Sequence, residues 1–144
     1  MKEKKDNPIS FQIKAIELLD SCLNAPKQPL TTNTVFQFEI DLEHRLNVDE
    51  KVVIVVCLVS IYNGKKEELL GQLKSSCIFL IDDLQVYINS KTKALELPEY
   101  FATSLNSISI STTRGLMFSF FRGTFLHNAV LPIVDPQSFS IEKK

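Results

Sequence analysis

An antiparallel α+β domain is the fold class this sequence predicts, and three observations carry it. Four strand-like stretches succeed one another between residues 11 and 81, short turn signals join the later ones, and everything helix-like follows residue 97. That order predicts a four-stranded antiparallel sheet in meander order followed by helices. Surplus apolar surface adds a further expectation: one strand is apolar on both parities and one helix almost all round, which predicts an oligomer.

Residues 1–10 are polar and contain Pro8, so they read as a flexible arm, with Lys2, Lys4 and Lys5 solvated. From Phe11 the apolar residues alternate, but Ile16 and Leu18 continue on the opposite parity to Phe11, Ile13 and Ala15; such a phase change marks a bulge or sharp twist. This first strand runs to about Leu23. The stretch NAPKQPLTTN at residues 24–33 holds two prolines and is long for a hairpin, so it is a connection that crosses the sheet. In the second strand Phe36, Phe38, Ile40 and Leu42 point one way and Gln37, Glu39 and Asp41 the other, giving one dry and one wet face.

After the turn at residues 47–50, the third strand, residues 51–62, is apolar on both parities from Val52 to Val59 and belongs at the centre, covered on both faces. Asn63-Gly64-Lys65-Lys66 is a hairpin turn into a fourth strand, residues 68–81. Residues 82–97 read as a connecting segment. Pro98 opens a short helix that the β-branched and serine-rich residues 107–111 interrupt. A second helix, residues 111–121, starts at a Ser111, Thr112 or Thr113 cap and stops at Arg122-Gly123. Gly115 inside it costs about 1 kcal/mol relative to Ala, for which close approach of another backbone is a reason. Residues 124–134 look extended, and residues 136–144 form a short tail.

Composition narrows the function. A chain of 144 residues with 44% hydrophobic and 23% charged residues fits one domain. With 16 basic and 17 acidic residues it lacks the basic excess of a nucleic-acid binder. Lys14, Glu17 and Asp20 interrupt the first apolar segment, so no signal peptide is expected; the most apolar run, residues 52–61, is about half a membrane span. A cytoplasmic protein without membrane insertion is expected. Cys22, Cys57 and Cys77 form no C-x-x-C pair and read as small buried hydrophobes, and His44 and His127 assemble no metal site. Four glycines write neither a P-loop nor a dinucleotide fingerprint, the neighbouring carboxylates Asp82-Asp83 and Glu67-Glu68 diverge in a strand, and His127 has no catalytic partner at a telling spacing. No cofactor and no catalytic residue are expected. Hot-dog thioesterases also wrap a sheet round an apolar helix, but theirs comes early and brings a carboxylate or histidine.

Two segments carry a family resemblance. Phe11-Gln12-Ile13, Asp20 and Asn24-Ala25-Pro26 at one end, and Arg122-Gly123-Thr124-Phe125 followed by Ala-Val-Leu-Pro at the other, resemble the SecB protein-export chaperones over residues 11–135. The resemblance implies an ATP-independent cytoplasmic homotetramer, a dimer of dimers, that holds unfolded preproteins and delivers them to SecA. It implies a client-binding wall at Phe36, Phe38, Ile40 and Leu42, where alternate apolar side chains grip a guest without sequence-specific readout. It implies subunit contacts on the late helix at Gly115, Leu116, Phe118 and Phe120. Its SecA-docking surface falls on Asp20, Asn24, Leu70 and Gln72.

Three departures stand out: amides replace two expected carboxylates at Asn24 and Gln72, the crossover loop has no aromatic residue, and the C-terminal helix is shortened to DPQSFSIEKK. Lost carboxylates remove long-range attraction to a basic partner. The same resemblance admits a chaperone dedicated to one client, such as the antitoxin of a toxin–antitoxin system.

Overall fold

A strand that is apolar on both parities needs partners on both edges, and that is where Val52–Asn63 (β3) lies. The computed structural model describes residues 8–64 and 68–136. Its sheet has the order β1-β4-β3-β2, all pairs antiparallel, from Phe11–Leu23 (β1), Phe36–Asn47 (β2), β3 and Glu68–Ile81 (β4). The expected meander therefore holds for β2, β3 and β4 only. β1 pairs with β4 at the far edge, so residues 24–35 carry the chain from one edge of the sheet to the other, as their length and prolines suggested. Asn24 N–H donates to the Leu70 carbonyl at the start of this crossover, and the Val35 carbonyl accepts from Gly64 N–H at its end.

The phase change in β1 is two irregularities, between Ile13 and Ala15 and between Leu18 and Asp20. A third lies between Ile61 and Tyr62 of β3, whose partners are Gly71 and Leu69. Leu70 is skipped there and turns its side chain into the core, fully buried.

One helix follows the sheet, not two. Glu99–Phe120 (α1) runs unbroken for 22 residues, starting one residue after Pro98. The hydroxyls expected to interrupt it bond back along it: Ser109 Oγ donates to the Leu105 carbonyl at 2.8 Å and Thr113 Oγ1 to the Ser109 carbonyl at 2.7 Å. Burial of Leu105, Ile110 and Met117 outweighs propensity penalties of a few tenths of a kcal/mol per residue. Nor is the helix apolar all round, since Ser104, Ser107, Ser111, Gly115 and Ser119 are exposed. It ends where Arg122-Gly123 predicted, with Gly123 at φ 78°, a conformation that a side chain would strain.

α1 covers one face of the sheet. Two clusters fill the interface: Cys57, Val59, Ile61, Leu73, Ile110 and Met117 with the later residues Phe121, Leu126 and Leu131, and Val53, Val55, Phe79 and Ile81 with Phe101 and Leu105. Phe11 locks β1 to the start of the helix, edge-on to Phe101 at 4.9 Å. On the opposite face Val52 and Val56 are buried among their sheet neighbours while Ile54, Leu58, Ile78 and Leu80 stay half-exposed. The expectation of cover on both faces is thus met on one.

Three further expectations change. Residues 8–10 of the supposed arm are tied down, with Ile9 against the second cluster and the Ser10 carbonyl accepting from Asp82 N–H. Residues 82–97 include a 3-10 turn, Leu84–Tyr87, and an isolated bridge between Ile88 and Leu95. After the helix the chain turns tightly from Arg122 to Asn128, and only beyond that is it irregular. Residues 1–7, the turn residues Lys65 to Glu67 and residues 137–144 of the expected tail lie outside the described residues.

Within the chain, close backbone approach falls at Gly71, while Gly115 faces open space. A Cβ at Gly71 would meet Leu126 Cδ1 at 2.6 Å and the Cys22 carbonyl oxygen at 3.1 Å, whereas nothing lies within 4 Å at Gly115. Gly71→Ala should therefore cost about 1–3 kcal/mol in urea unfolding. Gly115→Ala should be neutral or stabilising by up to about 1 kcal/mol in the isolated subunit; the reverse ranking would show that the Phe121–Leu126 turn does not pack on β4.

Candidate peptide-binding site

The site is built by the turn that ends α1. Phe121 is buried, and its carbonyl accepts from Thr124 Oγ1 at 2.6 Å, while Thr124 Oγ1 in turn accepts from Leu126 N–H at 3.1 Å. Gly123 N–H donates to His127 Nδ1 at 3.1 Å, which leaves that nitrogen unprotonated. Pinned this way, the turn sends Leu126 into the core and leaves Phe125 38% exposed.

A cavity opens on each side of the turn. One, about 720 Å³, lies against the crossover and is lined by Pro26, Pro29, Leu30, Thr34, Phe36, Phe125 and His127 among others. The other, about 370 Å³, lies against the outer side of α1 and is lined by Gly115, Met117, Phe118, Leu126, His127 and Val130 among others. The smaller cavity is mainly apolar, and the larger adds Thr31, Thr32, Thr34, Thr124 and Asn128 to its apolar lining; apolar side chains buried in such walls gain roughly 25 cal/mol per Å².

The proposed wall is split by the structure. Phe36, Phe38, Ile40 and Leu42 share the helix-facing side of β2, all half-buried and packed against the cluster that holds Leu126 and Leu131. Phe36 alone of the four lines a described cavity. On α1, Gly115, Phe118 and Phe120 are exposed, while Leu116 packs against the first cluster. Sequence reasoning missed Phe125, Leu30 and Pro26, and it missed the edge strand β1, where Ile13, Ile16, Leu18, Leu19 and Leu23 are each at least 40% exposed. The one available signal was the mixed parity of β1.

Burial pushes the Cys57 thiol up to about 11 and raises that of Cys77 as well, so neither is a thiolate near neutral pH. His44 shares a 2.6 Å hydrogen bond with the buried Asn106 across the sheet–helix interface, far in role from any reacting group. Among the described residues no three His, Cys, Asp or Glu side chains converge as metal ligands, and no helix is long and apolar enough to cross a membrane.

No family model matches the chain, and no curated protein does. Among solved structures, the Mycobacterium tuberculosis Rv1957 SecB-like chaperone in complex with a ChAD peptide from the Rv1956 HigA1 antitoxin is similar. The TM-score is 0.65 at 14% identity, covering 86% of this chain and 89% of that one. The chain has the SecB-like fold. A protein of unknown function from Streptococcus agalactiae aligns with a TM-score of 0.42 and 14% identity over 81% of this chain and 90% of its own.

Of the four residues read as a docking surface, the β1–β4 register brings Asp20, Asn24 and Gln72 into one neighbourhood, with Asp20 opposite Lys74 and Cys22 opposite Gln72. Leu70 is 0% exposed, because the bulge turns it inward, and is withdrawn from any such surface. Asn24 spends its amide on the Leu69 carbonyl at 3.1 Å and Gln72 donates to Ser60 Oγ at 3.0 Å. Asp20 is exposed, its carboxylate accepting from Ser21 N–H.

Thiol reactivity checks the closed helix–sheet interface. At pH 8 the half-exposed Cys22 should react with a disulfide reagent within minutes, and Cys57 and Cys77 should react only on unfolding. Three fast thiols in the folded protein would contradict the burial of β3 and β4 under α1.

Proposed function

We propose that this protein is an ATP-independent holding chaperone that binds an extended stretch of unfolded polypeptide, with no chemistry of its own. The observation that carries the reading is a pair of open cavities flanking one turn in a chain with the SecB-like fold, the smaller mainly apolar and the larger part apolar, part hydroxyl-lined. The smaller takes side chains mainly by burial, so binding there depends on apolar content more than on sequence.

A restricted client range is favoured over general export. The similar Rv1957 structure holds a peptide from an antitoxin. Here, moreover, the residues that would greet SecA comprise one exposed carboxylate, two engaged amides and a buried leucine. In this reading the protein is cytoplasmic and self-associating, a dimer or a dimer of dimers. Support for self-association comes from the late-helix residues Gly115, Phe118 and Phe120 and from the apolar edge strand β1, since an unpaired edge with five exposed large apolar residues is a liability in a lone subunit.

The test measures native mass, then suppression of aggregation of several unrelated reduced proteins without nucleotide, beside binding of peptides from candidate single clients. Action on one client alone supports the dedicated role, broad suppression supports export-type holding, and indifference to every unfolded chain ends the reading. Phe125→Asp should weaken client binding by roughly 10- to 100-fold, as loss of one aromatic contact implies, with little change in thermal stability. Phe38→Asp, half-buried against the core, should lower stability as well.

A further inference from the structure

The irregular residues 129–134 are held in a different way from the rest of the chain. From Leu131 to Val134 no main-chain group bonds another main-chain group among the described residues, and Pro132 has no N–H to offer a ladder. The polar tether is one side chain: Arg114 Nε donates to the Leu131 carbonyl at 2.8 Å and its Nη2 to the Pro132 carbonyl at 2.9 Å. The apolar tether is as narrow. Leu131 is 2% exposed and Ala129 is buried, while Val130 and Pro132 between and beyond them are exposed and Ile133 is 94% exposed. Alternate side chains buried and carbonyls read by a guanidinium are how an extended guest sits on a host.

The cluster that receives Leu131 is the one against which Phe36, Phe38 and Ile40 pack, and Val134 joins its rim. A guest whose side chains enter this cluster competes with Ala129, Leu131 and Val134 for it. We propose that residues 129–134 are a displaceable strap, an internal stand-in for the client, and that Arg114 is the positioning residue that sets how firmly it holds. The proposal rests on the chaperone reading and adds its regulation. A ladder strand is held at every second residue, but beyond Val130 this strap is held by two bonds from Arg114, the buried Leu131 and the rim contact of Val134, so a guest with more apolar contacts displaces it. The freed guanidinium then has two donors for main-chain carbonyls, which every polypeptide carries. Client affinity is reduced by the fraction of molecules with the strap in place.

Methyl NMR of the full chain tests this, with a synthetic peptide alternating Leu or Phe with Ser as the probe. In the wild type the Leu131 methyls should lie at core positions and move to free-chain positions on saturation with peptide. Arg114→Ala should move them without peptide and bind the peptide on the order of tenfold more tightly, with Arg114→Lys between. A merely structural arginine would weaken binding on removal. Peptide bound with Leu131 unmoved, or equal or weaker binding by folded Arg114→Ala, overturns the strap. Should Arg114→Ala fail to fold, Gly115→Cys and Val130→Cys, both lining the smaller cavity, are bridged by a short bismaleimide in a Cys22→Ser background. Bridging should lower affinity at least tenfold, and unchanged affinity overturns the proposal. If no variant binds peptide, the chaperone reading fails; the strap fails with it only if Leu131 also stays in place in Arg114→Ala.

Discussion

A single helix is too narrow for the sheet it has to cover. An α-helix with its side chains is about 10 Å across, whereas four strands spaced at about 4.8 Å put the outer two some 14 Å apart. Here α1 lies over the central strands β3 and β4, whose inward residues are almost all fully buried. The outer strands receive what is left. On the β2 side the post-helical turn and the residues after it fill part of the gap, which makes the β2 wall half-buried and leaves cavities beside the turn. On the β1 side nothing among the described residues does the same, and its apolar side chains stay open.

The helix is also kept from sliding. Ser75 on β4 shares a 2.8 Å hydrogen bond with Thr113, and His44 on β2 one of 2.6 Å with Asn106; the helical partners lie two turns apart and are fully buried. An apolar interface alone tolerates small translations, but a shift of one residue here would leave buried polar groups unpaired at about 1–3 kcal/mol each. Among the described side chains no buried polar atom lacks a partner. These pairs hold α1 in the register that delivers Phe121, Gly123 and Thr124 to the position from which the site is built.

Much of this was legible in the residues. Parity placed β3 at the centre, two prolines marked the crossover, and Arg122-Gly123 marked the end of the helix. What parity cannot report is strand order, because β1 would present the same alternation to β2 as to β4. Nor does propensity foresee that a mid-helix serine bonds backward, as Ser109 does to the Leu105 carbonyl, so residues 107–111 read as a break although Ser109 and Ile110 lie buried on the helix's inner face. Leu70 was placed on a surface by the family resemblance alone, and the bulge opposite Ile61 and Tyr62, which the partner strand sets, turns it into the core. At the site, Phe36 was legible from alternation, but Phe125 and Leu30 come from irregular segments, where periodicity carries no information about facing.

The same geometry explains how a fold persists when only 14% of residues are shared with a similar structure. Most core positions ask for an apolar side chain of roughly suitable volume, a demand many sequences meet. The demands that specify a residue type are few: no Cβ at Gly71, a left-handed backbone at Gly123, and hydroxyl or amide partners at Ser75, Thr113 and Asn106. None of these lies on the surfaces that would contact a client. On the proposed reading, a position such as Phe125 changes guest preference at little cost to the fold, because the helix–sheet register does not constrain it.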